Sequence, residues 1–116
     1  MAHILSISYD ANLLVTRELL LRQMGHVVVS AEGFTKAYRA CEVEGGRFDL
    51  VILGHSIPHE DKEAIIRHCT RACSCPVLAL LRPNEGAVEG AARCVDSNDP
   101  PAFIQAVQDM VTSTHV

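Results

Sequence analysis

Apolar residues along this chain alternate between short runs and longer stripes. The first run is Ile4-Leu5-Ser6-Ile7-Ser8, which predicts a strand. Asp10 stands at an N-cap position ahead of Leu13, Leu14, Leu20, Leu21 and Met24, which share one helical stripe that Gly25 ends. Val27-Val28-Val29 is a β-branched run and predicts a second strand. Phe34, Ala37, Tyr38 and Cys41 fit the i, i+3, i+4, i+7 spacing of a second helix, closed by Gly45-Gly46. Leu50-Val51-Ile52-Leu53 is a third strand stopped by Gly54. A helix from Glu60 to Cys73 follows, with Ala64, Ile65, Cys69 and Ala72 inward. The fourth strand is Pro76 to Leu81 and a short fifth is Arg93-Cys94-Val95. Asp99, with Pro100 and Pro101 in the first turn, opens a last helix whose inward face is Phe103, Val107, Met110 and Val111. The tail from Ser113 to Val116 is expected to fray.

Strands that are nearly all apolar belong to a sheet covered on both faces, and strand–helix alternation makes that sheet parallel with right-handed crossovers. Only residues 82–92 join the fourth strand to the fifth, and Pro83, Gly86 and Gly90 interrupt them. That is too short for a full crossover helix. The expected class is α/β, one domain over residues 1–116, with the fourth helix shortened or absent.

Composition narrows what such a domain can do. Hydrophobic residues are 48% of 116 and charged residues 21%, enough apolar surface for one core. No run approaches the roughly 18 apolar residues of a membrane span, and the start lacks a basic region ahead of an apolar one. The net charge of −4 argues against a nucleic-acid surface, and so does the absence of Trp. Five cysteines, an odd number, argue against a disulfide framework and for reduced thiols in the cytoplasm.

Several segments together resemble response-regulator receiver domains. Asp49-Leu50-Val51-Ile52-Leu53-Gly54-His55-Ser56-Ile57-Pro58 is similar to their third-strand motif, a hydrophobic strand, a phosphoacceptor Asp and Pro four residues later. Pro76 to Leu81 resembles the fourth strand, Gly90-Ala91 before Cys94-Val95 the approach to the fifth, and Ile4 to Asp10 the first strand with its acidic pocket. The resemblance spans nearly the whole chain. It implies a flavodoxin-like sandwich with strand order 2-1-3-4-5 and a pocket at the carboxyl ends of the first and third strands.

The same resemblance implies an emptied site. A phosphoacceptor must be a nucleophile, and its position holds Gly54. The acidic pair for Mg²⁺ falls on Ser8 and Tyr9; Asp10 beside them suits a helix cap better than a metal ligand. The phosphoryl-binding Thr or Ser is Leu81, the charge-clamping Lys is Ser97, and the aromatic switch residue is Cys94. Pro58 alone keeps the family residue. The expected function is a pseudo-receiver working by protein–protein contact in two-component-type signalling, with no enzyme activity and no cofactor. With residues 82–92 too short for a helix, one face of the fourth and fifth strands is expected to lose cover. The loop itself, with Pro83, Ala87 and Val88, can fold back for partial cover, and a homodimer or partner contact through residues 82–107 would cover the remainder. The first-helix face is the other candidate surface.

Other chemistry is sparser. Ser8, Asp10, His55, Ser56 and His59 should gather at the pocket mouth, but no Gly-x-Ser-x-Gly elbow accompanies them. His68, Cys69, Cys73 and Cys75 are zinc-type ligands without C-x₂-C spacing. The alternative function is thus a small enzyme or metal/redox protein using His55 and Ser56 or the Cys69–Cys75 cluster. No glycine-rich phosphate loop follows the first strand.

Overall fold

The computed structural model describes residues 2–43 and 47–113, and of Val43, Cys73 and Ser113 the backbone only. Gly45, Gly46 and residues 114–116 lie outside the described residues. The elements run β1 (His3–Ser8), α1 (Ala11–Gln23), β2 (Val27–Glu32), α2 (Phe34–Val43), β3 (Leu50–Leu53), α3 (His59–Cys73), β4 (Val77–Leu81), β5 (Arg93–Asp96) and α4 (Pro100–Ser113). All strand pairs are parallel, in the order β2-β1-β3-β4-β5. The second strand runs three residues past its valines, because Ser30, Ala31 and Glu32 stay in register with Ser6, Ile7 and Ser8.

Alternation along the strands divides the core in two. Leu5, Ile7, Val51, Leu53, Val77 and Ala79 face α2 and α3, against Ala37, Cys41, Ile65, Ile66 and Cys69. Ile4, Leu50, Ile52, Leu78, Leu80 and Val95 face the other way, against Leu21 of α1 and Phe103, Val107, Met110 and Val111 of α4. Two caps behave as their residue types dictate. Asp10 Oδ1 accepts from the amides of Asn12 and Leu13 at 2.9 and 3.2 Å. Asp99 Oδ1 accepts from Ala102 at 3.1 Å.

Residues 82–92 contain no helix. The bare aliphatic face expected there is not found, because the loop folds back over it. Val88 is 3% exposed and joins the core with Val77 and Ala79. Gly90 brings the loop close to α3: its φ is +90°, and a Cβ there would stand 2.8 Å from Ile66 Cγ2. A side chain would be strained by both backbone and contact. Among residues 82–107 no large aliphatic or aromatic side chain is exposed, and Phe103 belongs to the chain's own core. The exposed large apolar side chains of the described residues are Val15 and Leu19 on α1, at 60% and 59%, and Val27.

An ion pair holds this loop. Lys62, on α3, is fully buried and its Nζ donates to Leu80 O at 2.8 Å and to both Glu85 carboxylate oxygens at 2.7 and 2.9 Å. Glu85 also accepts from the Arg82 amide at 2.9 Å and partners His59 Nδ1 at 2.8 Å. Burial pushes the Glu85 carboxyl up, but the bonds from Lys62, the Arg82 amide and His59 outweigh it and hold the group at about 2.

Candidate functional site

The carboxyl ends of β1 and β3 place Ser8, Tyr9 and Asp10 beside Gly54, His55 and Ser56. Ser8 is fully buried, and its Oγ lies 2.8 Å from Ser56 Oγ. The amides of Tyr9 and Asp10 donate to Ser56 Oγ and Ser8 Oγ, both at 3.0 Å. Two short hydroxyls therefore stitch the β1–α1 turn to the β3–α3 turn. Tyr9 turns outward from this knot, and its hydroxyl donates to Asp61 Oδ2 at 2.9 Å. Burial and the adjacent Asp61 carboxylate raise the Tyr9 pKa, so it stays a neutral donor. Pro58 leads directly into α3 with φ −58°, and Lys62 N donates to its carbonyl at 2.9 Å.

Gly54 is packed on the side where a residue would carry its side chain. A Cβ there would lie 2.7 Å from Arg17 Nη1, 3.2 Å from Ile7 O and 3.3 Å from Ser8 Cβ. Its amide donates to Ile7 O at 2.8 Å. Arg17 comes from α1 on the inward stripe it shares with Leu14 and Leu21. Its Nη2 donates to His55 Nδ1 at 3.2 Å, while Nη1 is buried with no hydrogen-bond partner among the described residues. Burial lowers the Arg17 pKa and Asp10 opposes that. His55 is lowered by burial first, then by Arg17, Lys62 and Arg82 around it, so its imidazole is neutral at pH 7. Arg82 reaches across from the end of β4, donating from Nε to His55 O at 2.6 Å and from Nη2 to Ser56 O at 2.8 Å.

Three cationic side chains therefore surround the β3–α3 turn, where an acidic pocket would need carboxylates. The oxygen donors do not suit Mg²⁺, a hard dication that wants carboxylate ligands. The Asp10 carboxylate caps α1, Asp61 accepts from Tyr9, and Ser8 and Ser56 are spent on each other and on backbone amides. Leu81 and Ser97 sit side by side at the ends of β4 and β5, joined by Ser97 N donating to Leu81 O at 2.9 Å. The Leu81 side chain packs half-buried on the core face that also receives Cys94. Ser97 lines a cavity of about 220 Å³ with Thr16, Arg17, Asp96 and Phe103.

Among the described residues, the catalytic and metal groupings do not assemble. Ser56 Oγ partners Ser8 and the Tyr9 amide, His55 Nδ1 partners Arg17, and His59 partners Glu85. No hydrogen bond joins Ser56 to either histidine among the described residues. Cys69 points into the core at Cys41, and His68 stacks on Tyr38 with ring centroids 4.0 Å apart. The side chain of Cys73 lies outside the described residues. Among those described, no three His, Cys, Asp or Glu side chains are arranged to hold a metal.

Solved structures similar to this chain give the architecture its place. A response regulator receiver domain protein from Clostridium thermocellum superimposes with a TM-score of 0.83 at 21% identity, covering 98% of this chain and 94% of that one. The fold is that of a receiver domain. The receiver domain of the hybrid histidine kinase CckA matches with a TM-score of 0.78 at 20% identity, covering 94% of this chain and 98% of that one. The response regulator TrrA from Thermotoga maritima, solved with Mg²⁺ and BeF, matches at 0.76 and 18%, covering 95% of this chain and 99% of that one. No family model matches the chain, and no curated protein matches it.

Ser8, Tyr9, Asp10, Gly54 and Ser56 lie together at the carboxyl ends of β1 and β3, the place where the sequence led us to look for a pocket. Sequence reasoning missed Arg17, Lys62, Arg82 and Glu85, which supply the cationic charge around the turn and the carboxylate that holds Lys62. Two carried a signal. Arg17 falls three residues after Leu14 and four before Leu21, and Lys62 precedes Ile65, Ile66 and Cys69 by three, four and seven. Both are cations on an inward stripe.

Proposed function

We propose that this chain is a pseudo-receiver: a signalling module of the two-component type that works by contact with a protein partner and without being phosphorylated. The observation that carries this is the seat of Gly54. The position that resembles the phosphoacceptor has no side chain, and the space beside it is taken by the Arg17 guanidinium. Phosphoryl transfer rests on positioning and on metal and charge stabilisation. Here the nucleophile is missing, Ser8 and Tyr9 stand where the acidic Mg²⁺ ligands would be, and the hydroxyls of Ser8 and Ser56 are bonded within the chain.

The partner is another protein, and the face that suits it is α1, where Val15 and Leu19 are exposed. The loop over residues 82–92 argues against a second copy docking through residues 82–107, since it has already covered the aliphatic strands there. The domain acts by binding and not by catalysis.

Incubation with acetyl phosphate and Mg²⁺ tests the reading. The wild type should take up no acid-labile phosphate. Neither should Gly54→Asp, because the new carboxylate would meet Arg17 and no Mg²⁺ site would form. Stoichiometric phosphate on the wild type would overturn the proposal.

A further inference from the structure

Cys41 and Cys69 meet in the core between α2 and α3. Their sulfurs lie 2.8 Å apart and both residues are fully buried. No disulfide joins the two sulfurs. A disulfide S–S bond is about 2.05 Å long, so an approach of less than about 1 Å separates this pair from one. We infer that Cys41 and Cys69 form an oxidation site, which hydrogen peroxide converts to a buried cystine linking α2 to α3.

The chemistry closes in two steps. One thiolate attacks a peroxide oxygen, the O–O bond breaks, and the departing hydroxide takes a proton to become water. A sulfenic acid remains. The second sulfur then displaces that oxygen. The S–S bond forms, the S–O bond breaks, and the hydroxide leaves with the thiol proton as a second water. The two sulfurs lose two electrons and the peroxide oxygens gain them.

Burial opposes the first step, because apolar surroundings favour the thiol over the thiolate. Position relieves this for one of the two. Cys41 lies in the last turn of α2, and helix ends open locally at less cost than the whole domain. Cys69 sits farther inside α3. Cys41 is therefore the sulfur that meets peroxide, and reclosing of the turn presents its sulfenic acid to Cys69. The cystine would close a segment spanning 28 positions that contains β3 and the Gly54–Pro58 turn. Restricting the unfolded chain over that span should raise the thermal midpoint by on the order of 10 °C.

Trypsin separates the relevant cysteines. Cleavage after Arg39, Arg47, Arg67 and Arg71 releases Cys41 in peptide 40–47 and Cys69 in peptide 68–71, apart from Cys73 and Cys75. The full chain is exposed to hydrogen peroxide, alkylated, digested and analysed by mass spectrometry, with the half-buried Met24 as an internal gauge of exposure. The expected result is intact protein lighter by two hydrogens, peptide 40–47 joined to 68–71, and a higher thermal midpoint. Cys69→Ala should give no such link and no rise. Recovery of the two peptides unlinked after Met24 has become the sulfoxide would overturn the proposal. So would joining of 68–71 to the peptide that holds Cys75.

Discussion

Glu85→Gln probes what holds the loop that stands in for a helix. The change keeps the side chain's shape and one acceptor oxygen but removes its charge. Lys62, with no side-chain exposure, would then be an ammonium buried on neutral acceptors. In the wild type the Glu85 carboxyl is held at about 2 against an ordinary 4.5. The folded value lies below the unfolded one, so the carboxylate stabilises the fold fully above about pH 4.5 and loses that contribution as pH falls toward 2. At about 1.36 kcal/mol per pH unit, the gap amounts to roughly 3 kcal/mol at neutral pH. That matches the lower end of the roughly 3–5 kcal/mol lost on breaking a buried pair, as suits a carboxylate whose side chain is 10% exposed. The chain has no Trp, so urea unfolding is followed by far-ultraviolet circular dichroism. Near pH 7 the variant should unfold at lower urea with an unchanged slope, and near pH 2 it should converge on the wild type. Adding Lys62→Met should recover most of the loss, because the uncompensated charge is gone. A loss below about 0.5 kcal/mol near pH 7, or one that persists undiminished near pH 2, would refute the reasoning. Packing of Val88 and Gly90 would then be what holds the loop.

Val88→Glu and Phe103→Glu should unfold the domain or cost several kcal/mol, because each sets a charge in a core position; circular dichroism melts decide. Leu19→Glu on exposed α1 should leave the melt within about 0.5 kcal/mol of wild type while weakening retention of the partner protein. Folded, monomeric Val88→Glu would show that the loop's cover is dispensable. The His55 imidazole should titrate below its ordinary 6.5 by nuclear magnetic resonance, and Arg17→Gln should raise that midpoint by removing one nearby cation. A midpoint at or above 6.5 in the wild type would contradict the cationic ring around it. Beryllofluoride with Mg²⁺ should leave the resonances of residues 94–104 unmoved, since neither Leu81 nor Cys94 can pass on a phosphoryl signal.

The sheet was legible because its strands are written in one alphabet. Leu50–Leu53 and Val77–Leu81 are apolar on both faces, and Ile4–Ser8 breaks its apolar run only with the small Ser6 and Ser8, a pattern that suits a doubly covered parallel strand. Asp10 and Asp99 announce their helices because an N-cap carboxylate is a local device that needs no distant partner. The extension of β2 through Ser30, Ala31 and Glu32 carries no such mark. Those residues are strand because β1 supplies their hydrogen bonds, which is tertiary information. The shortage of residues 82–92 for a helix was likewise plain from length. That the loop with Val88 folds back for cover was one of the readings open from sequence; its anchor was not, because it joins Lys62 to Glu85 across 23 positions.

The site shows the same division more sharply. Losses are visible in a sequence, since Gly54, Ser8 and Tyr9 simply lack the groups that phosphoryl chemistry needs. Replacements are visible only when the residue that fills the space is a neighbour in the chain. Arg17 is 37 positions from Gly54, yet its guanidinium reaches the space where a residue at 54 would start its side chain. The two features also support one another. With no side chain at 54, the Arg17 guanidinium occupies that space and turns to His55, and a guanidinium there gives a Mg²⁺ ion nothing to bind. With Ser8 and Ser56 bonded to each other and Arg82 holding the carbonyls of His55 and Ser56, the turn keeps one arrangement without a ligand. A pocket built to respond to phosphorylation must leave such bonds open for the incoming group. Here the bonds of Ser8, Ser56 and Arg82 are already made within the chain, which supports the proposal of a contact module over a switch.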